Sequence, residues 1–320
     1  MAMVMGVVLP GLIFTAAEKL YLQAEEIPPT ESAPTDQTTA QTTPMENRVY
    51  RINVQNESSQ VEQMDLNTYI VGVLLGELPS DFDIEAMKAQ AVVARTYALK
   101  RQSSTQKHSG AVCMDSACCQ AYCEIVDYLA KGGKQETIDK VTSAVNATAY
   151  QVLTYNNQLI EATYYSCSGG RTEDEVAVWG EEITYLQSVD SPGEEQAVHY
   201  TDSVQFTKQE FANRLHINPK EQLTTWFGNV TYTDGGGVDT IVIGGKTFKG
   251  TDLRKLLGLR STAFTITAIG DSVHVTTKGF GHRVGMSQYG AEAMAVRGES
   301  YGQILFHYYP GTELTDYTQN

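Results

Sequence analysis

The chain has 320 residues, 42% of them apolar, which is enough to bury the core of one large domain or of two ordinary ones. Its 38 acidic residues outnumber its 23 basic residues, and the formal net charge is −15. Because phosphate binding requires a basic face and the chain has no basic run, this composition argues against a nucleic-acid partner.

The N-terminal segment differs in composition from the rest of the chain. It begins with MAMVMGVVLPGLIFTAA, an uncharged run close to the shortest length that crosses a bilayer core. Residues 1–20 are therefore predicted to be a membrane anchor or signal segment. The anchor is favoured because no basic residue precedes the run, so the usual charged start of a signal sequence is missing; a cleaved signal and a buried helix are the alternatives. Residues 21–47 are rich in Pro, Thr, Ser and Gln, which predicts a disordered, flexible linker. The folded body is expected over residues 48–317, outside the cytoplasm.

Two helices are predicted near the start of this body. In DLNTYIVGVLLGELP the apolar residues have helical spacing, Asp65 or Asn67 can cap the helix, and Pro79 ends it near Glu77. A second helix should begin around Asp83 and continue through IEAMKAQAVVARTYALKR, whose many Ala residues permit close packing. The two helices are expected to flank a short LPSDF turn.

The later part of the chain mixes helices and strands. A third helix is expected near residues 136–147, and the two strand-like runs after it are separated by Asn156 and Asn157, which suit a hairpin turn. The segments VDTIVIGGKTFKG and TAFTITAIGDSVHVTT have further strand character, without regular βαβ alternation or an internal repeat. The sequence therefore predicts an α+β fold in a single large mixed domain.

Glu77 is the principal candidate for an acid. The helix dipole disfavours a carboxylate at a helix C-terminus, and three neighbouring leucines add desolvation, so the pKa of Glu77 is expected to be raised. Taken alone, these arguments leave a surface glutamate without a role as the alternative. Arg95, in the middle of the Ala-rich helix, needs a partner, which is either an acid in a structural ion pair or a ligand in a cleft.

Four blocks of the sequence resemble the stage II sporulation protein D family, which also includes amidase-enhancer domains. They are GVLLGELPSDFDIEAMKAQAVVARTYALKR, YYSCSGGRTEDEVAVWG, YLQSVDSP and GFGHRVGMSQYGAEAMAVRGESYGQILFHYYPGTEL. The blocks follow the family's order and cover nearly the whole folded body. The resemblance implies a lytic transglycosylase that cleaves peptidoglycan glycan strands stripped of peptide stems and leaves a 1,6-anhydro-muramic end, with Glu77 as the single acid and base.

The resemblance also implies a glycan-binding groove. Its expected substrate-binding residues are polar or aromatic side chains within these blocks, namely Arg95, Tyr164, Tyr165, Ser168, His282, Ser287 and Gln288. Hydroxyls, amides and ring faces suit sugars, and the nearby glycines allow close backbone approach. A tight turn and a packed glycine-rich loop are the alternatives for these blocks. A Ser–His hydrolase is disfavoured because the last block lacks a GxSxG elbow. Arg283 stands where the family usually has glycine.

The stretch HSGAVCMDSACCQAYC concentrates soft metal ligands, more than a tetrahedral zinc ion requires. It is similar to an insertion in many sporulation members that binds zinc through two cysteines spaced as Cys113 and Cys119. These two are the first expected ligands, and His108 and Cys118 are candidates for the other positions, with a water as the alternative at the fourth. The zinc is expected to be structural, because a closed Cys-rich site leaves no position for a catalytic water. A local disulfide and unliganded thiols are the alternatives.

The biological setting is implied by the resemblance alone. It comprises degradation of the septal wall during engulfment in a sporulating bacterium, on the mother-cell membrane facing the intermembrane space, with a partner cell-wall amidase and a membrane scaffold protein. Two other functions remain open: a non-catalytic amidase enhancer that binds glycan, and a metallohydrolase that uses the Cys/His stretch. Hydrolysis would need a second carboxylate, for which the candidates are Asp81, Asp83, Glu173, Asp174 and Glu175.

Overall fold

Helices and strands alternate irregularly along the chain, which confirms the predicted α+β class. The computed structural model describes residues 49–56, 58–104, 108, 110–218 and 222–318. These described residues form one compact unit. The predicted anchor and linker lie outside the described residues, and no helix within the described ranges has both the length and the apolar character that a bilayer crossing needs.

The elements of the described residues are as follows. The α-helices are α1 (Leu66–Glu77), α2 (Ile84–Ser103), α3 (Ile125–Ala130), α4 (Gln135–Ala147), α5 (Glu175–Val178), α6 (Lys208–Leu215), α7 (Gly250–Leu257), α8 (Gln288–Val296) and α9 (Tyr301–Tyr308). The strands are β1 (Arg51–Gln55), β2 (Val61–Asp65), β3 (Val112–Cys113), β4 (Gln151–Tyr155), β5 (Gln158–Leu159), β6 (Tyr164–Tyr165), β7 (Thr201–Thr207), β8 (Phe227–Tyr232), β9 (Val238–Ile243), β10 (Lys246–Lys249), β11 (Phe264–Ile269), β12 (Ser272–Lys278), β13 (Met286–Ser287) and β14 (Glu313–Asp316). A 3-10 turn covers Leu223–Thr225.

The first core is built around α2. Asp65 caps α1 by accepting a hydrogen bond from the Thr68 backbone N–H at 2.9 Å, and Asp83 caps α2 by accepting from Glu85 at 2.8 Å. The alanines of α2 are buried and allow α1, α4, α8 and α9 to pack closely around it. Both predicted helices and the turn between them are confirmed, and Asp65 is the cap of the first.

The predicted hairpin is also present. β4 and β5 pair antiparallel, and Asn156 and Asn157 have φ angles of 52° and 61° at the turn between them. Positive φ at both central residues is the requirement of the tight hairpin turn that Asn tolerates best. Sequence pattern and turn chemistry therefore agree at this point of the chain.

A second, smaller core lies in the segment 201–278. Strands β7, β11 and β12 form one sheet, β8, β9 and β10 form another, and α6 and α7 pack with them around Trp226, Leu253 and Val273. This segment separates two of the sequence blocks, which the fold nevertheless brings together. Strand β6 pairs parallel with β13, so that Tyr164 lies opposite Met286 and Tyr165 opposite Ser287.

Candidate functional site

A cleft of about 1040 Å³ opens at the C-terminal end of α1. Its walls come from the ends of α1 and α2, from the loop Ser116–Ala121, from β6, from the region of α5, and from the segment that precedes α8. Residues distant in sequence therefore surround one space large enough for a chain of several sugar rings, since ligand pockets for small molecules have about 300–1,000 Å³.

Glu77 lies in this cleft as the last residue of α1. Its Oε1 accepts hydrogen bonds from the Ala121 backbone N–H at 2.7 Å and from the Tyr164 hydroxyl at 3.1 Å. Its Oε2 accepts from the Gln288 side-chain amide at 3.2 Å. The three donors come from three separate segments, and together they fix the carboxyl group at the cleft wall.

A chain of neutral hydrogen bonds continues behind Glu77. Tyr164 accepts from the Gln120 side-chain amide at 3.1 Å, and the Gln120 carbonyl accepts from the Tyr69 hydroxyl at 3.2 Å. Burial raises the pKa of both tyrosines well above the usual value, so they keep their protons at neutral pH. Tyr164 is therefore committed to donating its proton towards Glu77.

Burial raises the pKa of Glu77, while the hydrogen bonds from Ala121, Gln288 and Tyr164 oppose that rise. Among the ion pairs of the described residues, none includes Glu77. The predicted direction of the shift is confirmed, although desolvation rather than the helix terminus is its main cause. A carboxyl group that retains its proton to higher pH is suited to act as a general acid.

Two glycines of α1 allow the Ala121 loop to reach Glu77. A Cβ at Gly76 would lie 2.9 Å from the Tyr122 backbone nitrogen, and a Cβ at Gly72 would lie 2.2 Å from the Tyr122 ring. The Cys123 backbone N–H also donates to the Gly72 carbonyl at 2.9 Å. The spacing Gly72-x-x-x-Gly76 places both on one face of the helix, against which the loop lies. This spacing is a signal that the sequence reading missed.

Four of the predicted substrate-binding residues line the cleft: Tyr164, Tyr165, His282 and Gln288. Burial and the charge of Arg254 lower the pKa of His282 to about 4, so its ring is neutral at pH 7. The ring packs against Tyr165 and Trp179, with centroid distances of 5.4 and 4.9 Å. Together these rings form an aromatic wall of the cleft.

The structure places Arg95 away from the cleft. Its side chain is fully buried, and the guanidinium donates to the Gln151 carbonyl at 3.1 Å and to the Val145 carbonyl at 3.3 Å. No ion pair with Arg95 is present among the described residues, and Arg95 is not among the residues that line the cleft. Burial lowers the pKa of Arg95 to about 10. Its observed contacts connect α2 to the end of α4 and the start of β4.

Ser168 and Ser287 are also buried and do not line the cleft. Ser168 donates from its hydroxyl to Glu194 at 2.8 Å, and its backbone N–H donates to the same carboxylate oxygen at 2.7 Å. Ser287 caps α8 by accepting from the Gly290 backbone N–H at 3.1 Å. Their contacts therefore hold the loops that carry Tyr164 and Gln288.

The Cys/His stretch forms a cluster that could hold a metal ion. The ligand atoms of His108, Cys113, Cys118 and Cys119 all lie within 4.8 Å of one another, and His108 Nε2 is 3.2 Å from Cys118 Sγ. These are the four residues predicted from the sequence, and the cysteines are not joined in disulfides. Three thiols and one imidazole match the ligand set of a structural zinc site. The cluster immediately precedes Gln120 and Ala121, the residues of this loop that reach Glu77 and its hydrogen-bond chain.

Known proteins resemble this chain over most of its length. Residues 54–155 match a family model described as Stage II sporulation protein. The chain is 39% identical over 284 residues to Stage II sporulation protein D of Bacillus subtilis, an alignment that covers 87% of this chain and 81% of that protein. The chain belongs to the stage II sporulation protein D family.

Two further relatives show the range of this family. Stage II sporulation protein D of Bacillus amyloliquefaciens is 38% identical, with 87% of this chain and 81% of that protein covered. The Amidase enhancer of Bacillus subtilis is 28% identical over 304 residues, which cover 77% of this chain and 40% of that protein. The family resemblance inferred from the four blocks is confirmed.

Arg283, noted as a departure from the usual family glycine, keeps the backbone conformation that a glycine favours. Its φ is 69°, in the left-handed region. The buried guanidinium pairs with Glu173 at 3.0 Å and donates to the carbonyls of Ser168, Arg171 and Gly235 at 2.7 to 2.8 Å. The substitution therefore joins the cleft loops to the second core.

Several cleft residues were not anticipated from the sequence. They are Tyr97, Arg101, Trp179 and Glu181, and Gln120 behind the cleft joins them. The helical pattern of α2 shows which positions are outside the core, but it does not show which neighbouring segment lies opposite them. For Trp179, the available signal was a large aromatic residue within a family block, and the structure shows that it is half exposed.

Proposed function

We propose that this protein is a lytic transglycosylase that cleaves peptidoglycan glycan strands during cell-wall processing in sporulation. The observation that carries the proposal is the environment of Glu77: a carboxyl group in a cleft, with a raised pKa and only neutral hydrogen-bond donors. The names of the sporulation relatives support the biological setting.

One carboxyl group can perform this reaction without consuming water. Protonated Glu77 donates its proton to the glycosidic oxygen as the bond to the muramic C1 breaks. The C6 hydroxyl of the same muramic residue then bonds to C1, and the Glu77 carboxylate takes the hydroxyl proton. Glu77 ends the cycle protonated, and the products are a 1,6-anhydro-muramic end and a free hydroxyl on the leaving sugar.

The residues around Glu77 suit both halves of this cycle. Ala121, Tyr164 and Gln288 donate to the carboxylate formed after the first proton transfer, while burial keeps the protonated form accessible before it. Denuded strands are the proposed substrate, as the family resemblance implies. In the aromatic wall, Trp179 is half exposed and offers a ring face against which sugar rings can pack, while His282 and the buried Tyr165 pack beside it.

A zinc ion is proposed to be held by Cys113, Cys118, Cys119 and His108, in a structural role. When bound, zinc would supply a rigid crosslink within the loop and no proton-transfer step. The loop's own residues, Gln120 and Ala121, act on Glu77. Elemental analysis should find about one zinc per chain, and removal by a strong chelator should lower the melting temperature. Absence of zinc in protein purified under reducing conditions would contradict the proposal.

The proposed location is the mother-cell membrane, with residues 1–20 as anchor, residues 21–47 as tether and the catalytic body facing the intermembrane space. A cell-wall amidase that removes peptide stems and a membrane scaffold protein are the proposed partners. Both follow from the family resemblance, and the net charge of −15 argues against a nucleic acid as the ligand.

The decisive experiment is mass spectrometry of soluble products released from peptide-free glycan strands. The wild type should release anhydro-ended products, and Glu77→Gln should release none. Glu181→Gln is the matched control, because Glu181 also lines the cleft but makes no contact with Glu77 among the hydrogen bonds of the described residues. Reducing-end products, lost in Glu181→Gln or Glu175→Gln, would establish hydrolysis with a second carboxylate instead.

A second candidate function is a non-catalytic amidase enhancer. It is favoured by the similarity to a relative that bears that name. An enhancer would bind strands in the same cleft, release no products alone, and increase the rate of an added amidase equally well with Glu77→Gln. The proposed transglycosylase and the enhancer therefore differ in a single assay of purified protein.

A further inference from the structure

The charged residues of the cleft are distributed unevenly. Four glutamates line it: Glu77, Glu161, Glu175 and Glu181. Among the described lining residues, Arg101 is the only Lys or Arg, and His282 is neutral at pH 7. A negatively charged ligand group is therefore repelled by most of the wall and finds one complementary side chain.

Arg101 is held in place by two neighbours. It lies in the last turn of α2, where the helix dipole favours a cation, and its guanidinium is 5.0 Å from the centre of the Tyr97 ring. Its Nη2 is 3.3 Å from Glu161 Oε2, and about a third of each side chain remains exposed. The stacking orients the planar guanidinium, while an ion pair that is one-third exposed is weak enough to exchange for another carboxylate.

The muramic residue of the proposed substrate carries one group that matches this arrangement. Its D-lactyl ether ends in a carboxyl carbon that is an uncharged amide when a peptide stem is attached. The same carbon is a free carboxylate once the stem has been removed. A guanidinium binds a carboxylate with two parallel charge-assisted hydrogen bonds and has no comparable interaction with an amide.

We infer that Arg101 is a specificity-determining residue that binds the free lactyl carboxylate of muramic acid and so selects glycan from which the peptide stem has been removed. The inference rests on the proposed glycan-cleaving function. Glu161 acts as the resident partner, which keeps the guanidinium ordered until the substrate carboxylate replaces it. The acidic wall acts in the same direction, because attached stems bring several carboxylates of their own into the cleft.

The test compares two strand preparations of equal length, one with free lactyl carboxylates and one with the same carboxylates converted to neutral methylamides. The full chain should cleave the carboxylate strands with about tenfold higher kcat/KM, the lower end of what a charge-assisted hydrogen bond contributes. Arg101→Gln should lose this preference and cleave the two strand preparations with equal kcat/KM. Glu161→Gln should enlarge the preference, because the competing carboxylate is gone.

Lys100→Gln is the matched control. Lys100 is adjacent to Arg101 in α2 and does not line the cleft, and its substitution removes the same single positive charge. It should retain the tenfold preference. Equal cleavage of both strands by the wild type, or a preference that survives Arg101→Gln, would overturn the inference while leaving the transglycosylase in place.

If the wild type cleaves neither strand preparation, the proposed function fails. The role of Arg101 is then tested by measuring how tightly the protein binds each preparation. Calorimetry with Glu77→Gln protein should then show tighter binding of carboxylate strands, and the double variant with Arg101→Gln should bind both alike. Equal binding of the two strands by the Glu77→Gln protein would reject the role of Arg101 as well.

Discussion

Glu77 and Glu173 are both glutamates withdrawn from water, and burial raises the pKa of both. Glu173 lies in the interior beside Arg283, whose charge opposes the rise, and the ion pair is almost fully buried. Glu77 has three neutral donors and faces the cleft. A raised pKa alone therefore does not identify the acid; access to a ligand space and the absence of a neutralising cation distinguish Glu77.

The two sites also differ in what they connect. Arg283 donates to carbonyls from two chain segments, those of Ser168 and Arg171 in one and of Gly235 in the other, and its partner Glu173 does not line the cleft. The three donors to Glu77 are neutral, so its carboxyl group can be either protonated or ionised. Glu173 thus forms a structural ion pair, whereas Glu77 is placed for the proposed proton transfer. Replacing each glutamate with Gln should separate the structural role from the catalytic one.

The largest effect is expected for Glu77→Gln. Loss of the general acid should reduce kcat/KM on denuded strands by about 10²- to 10⁴-fold, without loss of stability at pH 7. The sign follows from the raised pKa: the folded state disfavours the ionised carboxylate, so the contribution of Glu77 to stability falls as pH rises through its pKa. Steady-state kinetics and thermal melts measure the two quantities, and a destabilised variant would contradict this account.

Glu173→Gln should have the reverse outcome. It leaves the Arg283 charge buried without its carboxylate, which is expected to cost about 3 kcal/mol of unfolding free energy. The kcat/KM of the molecules that remain folded should be unchanged, since Glu173 does not line the cleft. Denaturant unfolding, together with rates corrected for the folded fraction, tests this; strong loss of activity in folded protein would assign Glu173 a catalytic role.

An intermediate effect is expected for Gly76→Ala. The added Cβ would meet the backbone of Tyr122 and Ala121 at 2.9 and 3.1 Å, so the loop must move and its N–H donor leaves Glu77. We expect kcat/KM to fall about tenfold, the effect of one lost charge-assisted hydrogen bond. Gly302→Ala is the control: nothing lies within 4 Å of its Cβ position in α9, so activity should be unaffected and stability raised by up to about 1 kcal/mol.

The smallest effect is expected for Tyr164→Phe. The Tyr164 hydroxyl donates to the ionised form of Glu77, so its loss should raise the Glu77 pKa further. The alkaline limb of the kcat/KM profile, where Glu77 loses its proton, should then move to higher pH. Tyr309→Phe serves as a comparison, because its hydroxyl bonds to Thr163 and Met286 rather than to Glu77. A shift to lower pH in Tyr164→Phe would contradict the assignment of Glu77.

The sequence alone determined the features that depend on neighbours in the chain. Helical periodicity and capping residues located α1 and α2, the two asparagines located the β4–β5 hairpin, and Glu77 was identified at a helix end before Pro79. The four candidate metal ligands also lie together in the structure, because they fall within twelve residues and a short loop keeps them close. Periodicity, turn chemistry and short loops act locally, so they are readable from the residues themselves.

Only the tertiary structure decided which distant residues meet. Gln288 reaches Glu77 across 211 positions, and the main contribution to the Glu77 pKa is burial by segments that the sequence does not place. Arg95 looked equally suited to an ion pair or a cleft, yet it binds carbonyls of the core, whereas Arg101, nearly two turns further along the same helix, lines the cleft. The two arginines differ by the face of α2 that each occupies and by what packs there, and that packing is fixed by the whole chain rather than by either residue.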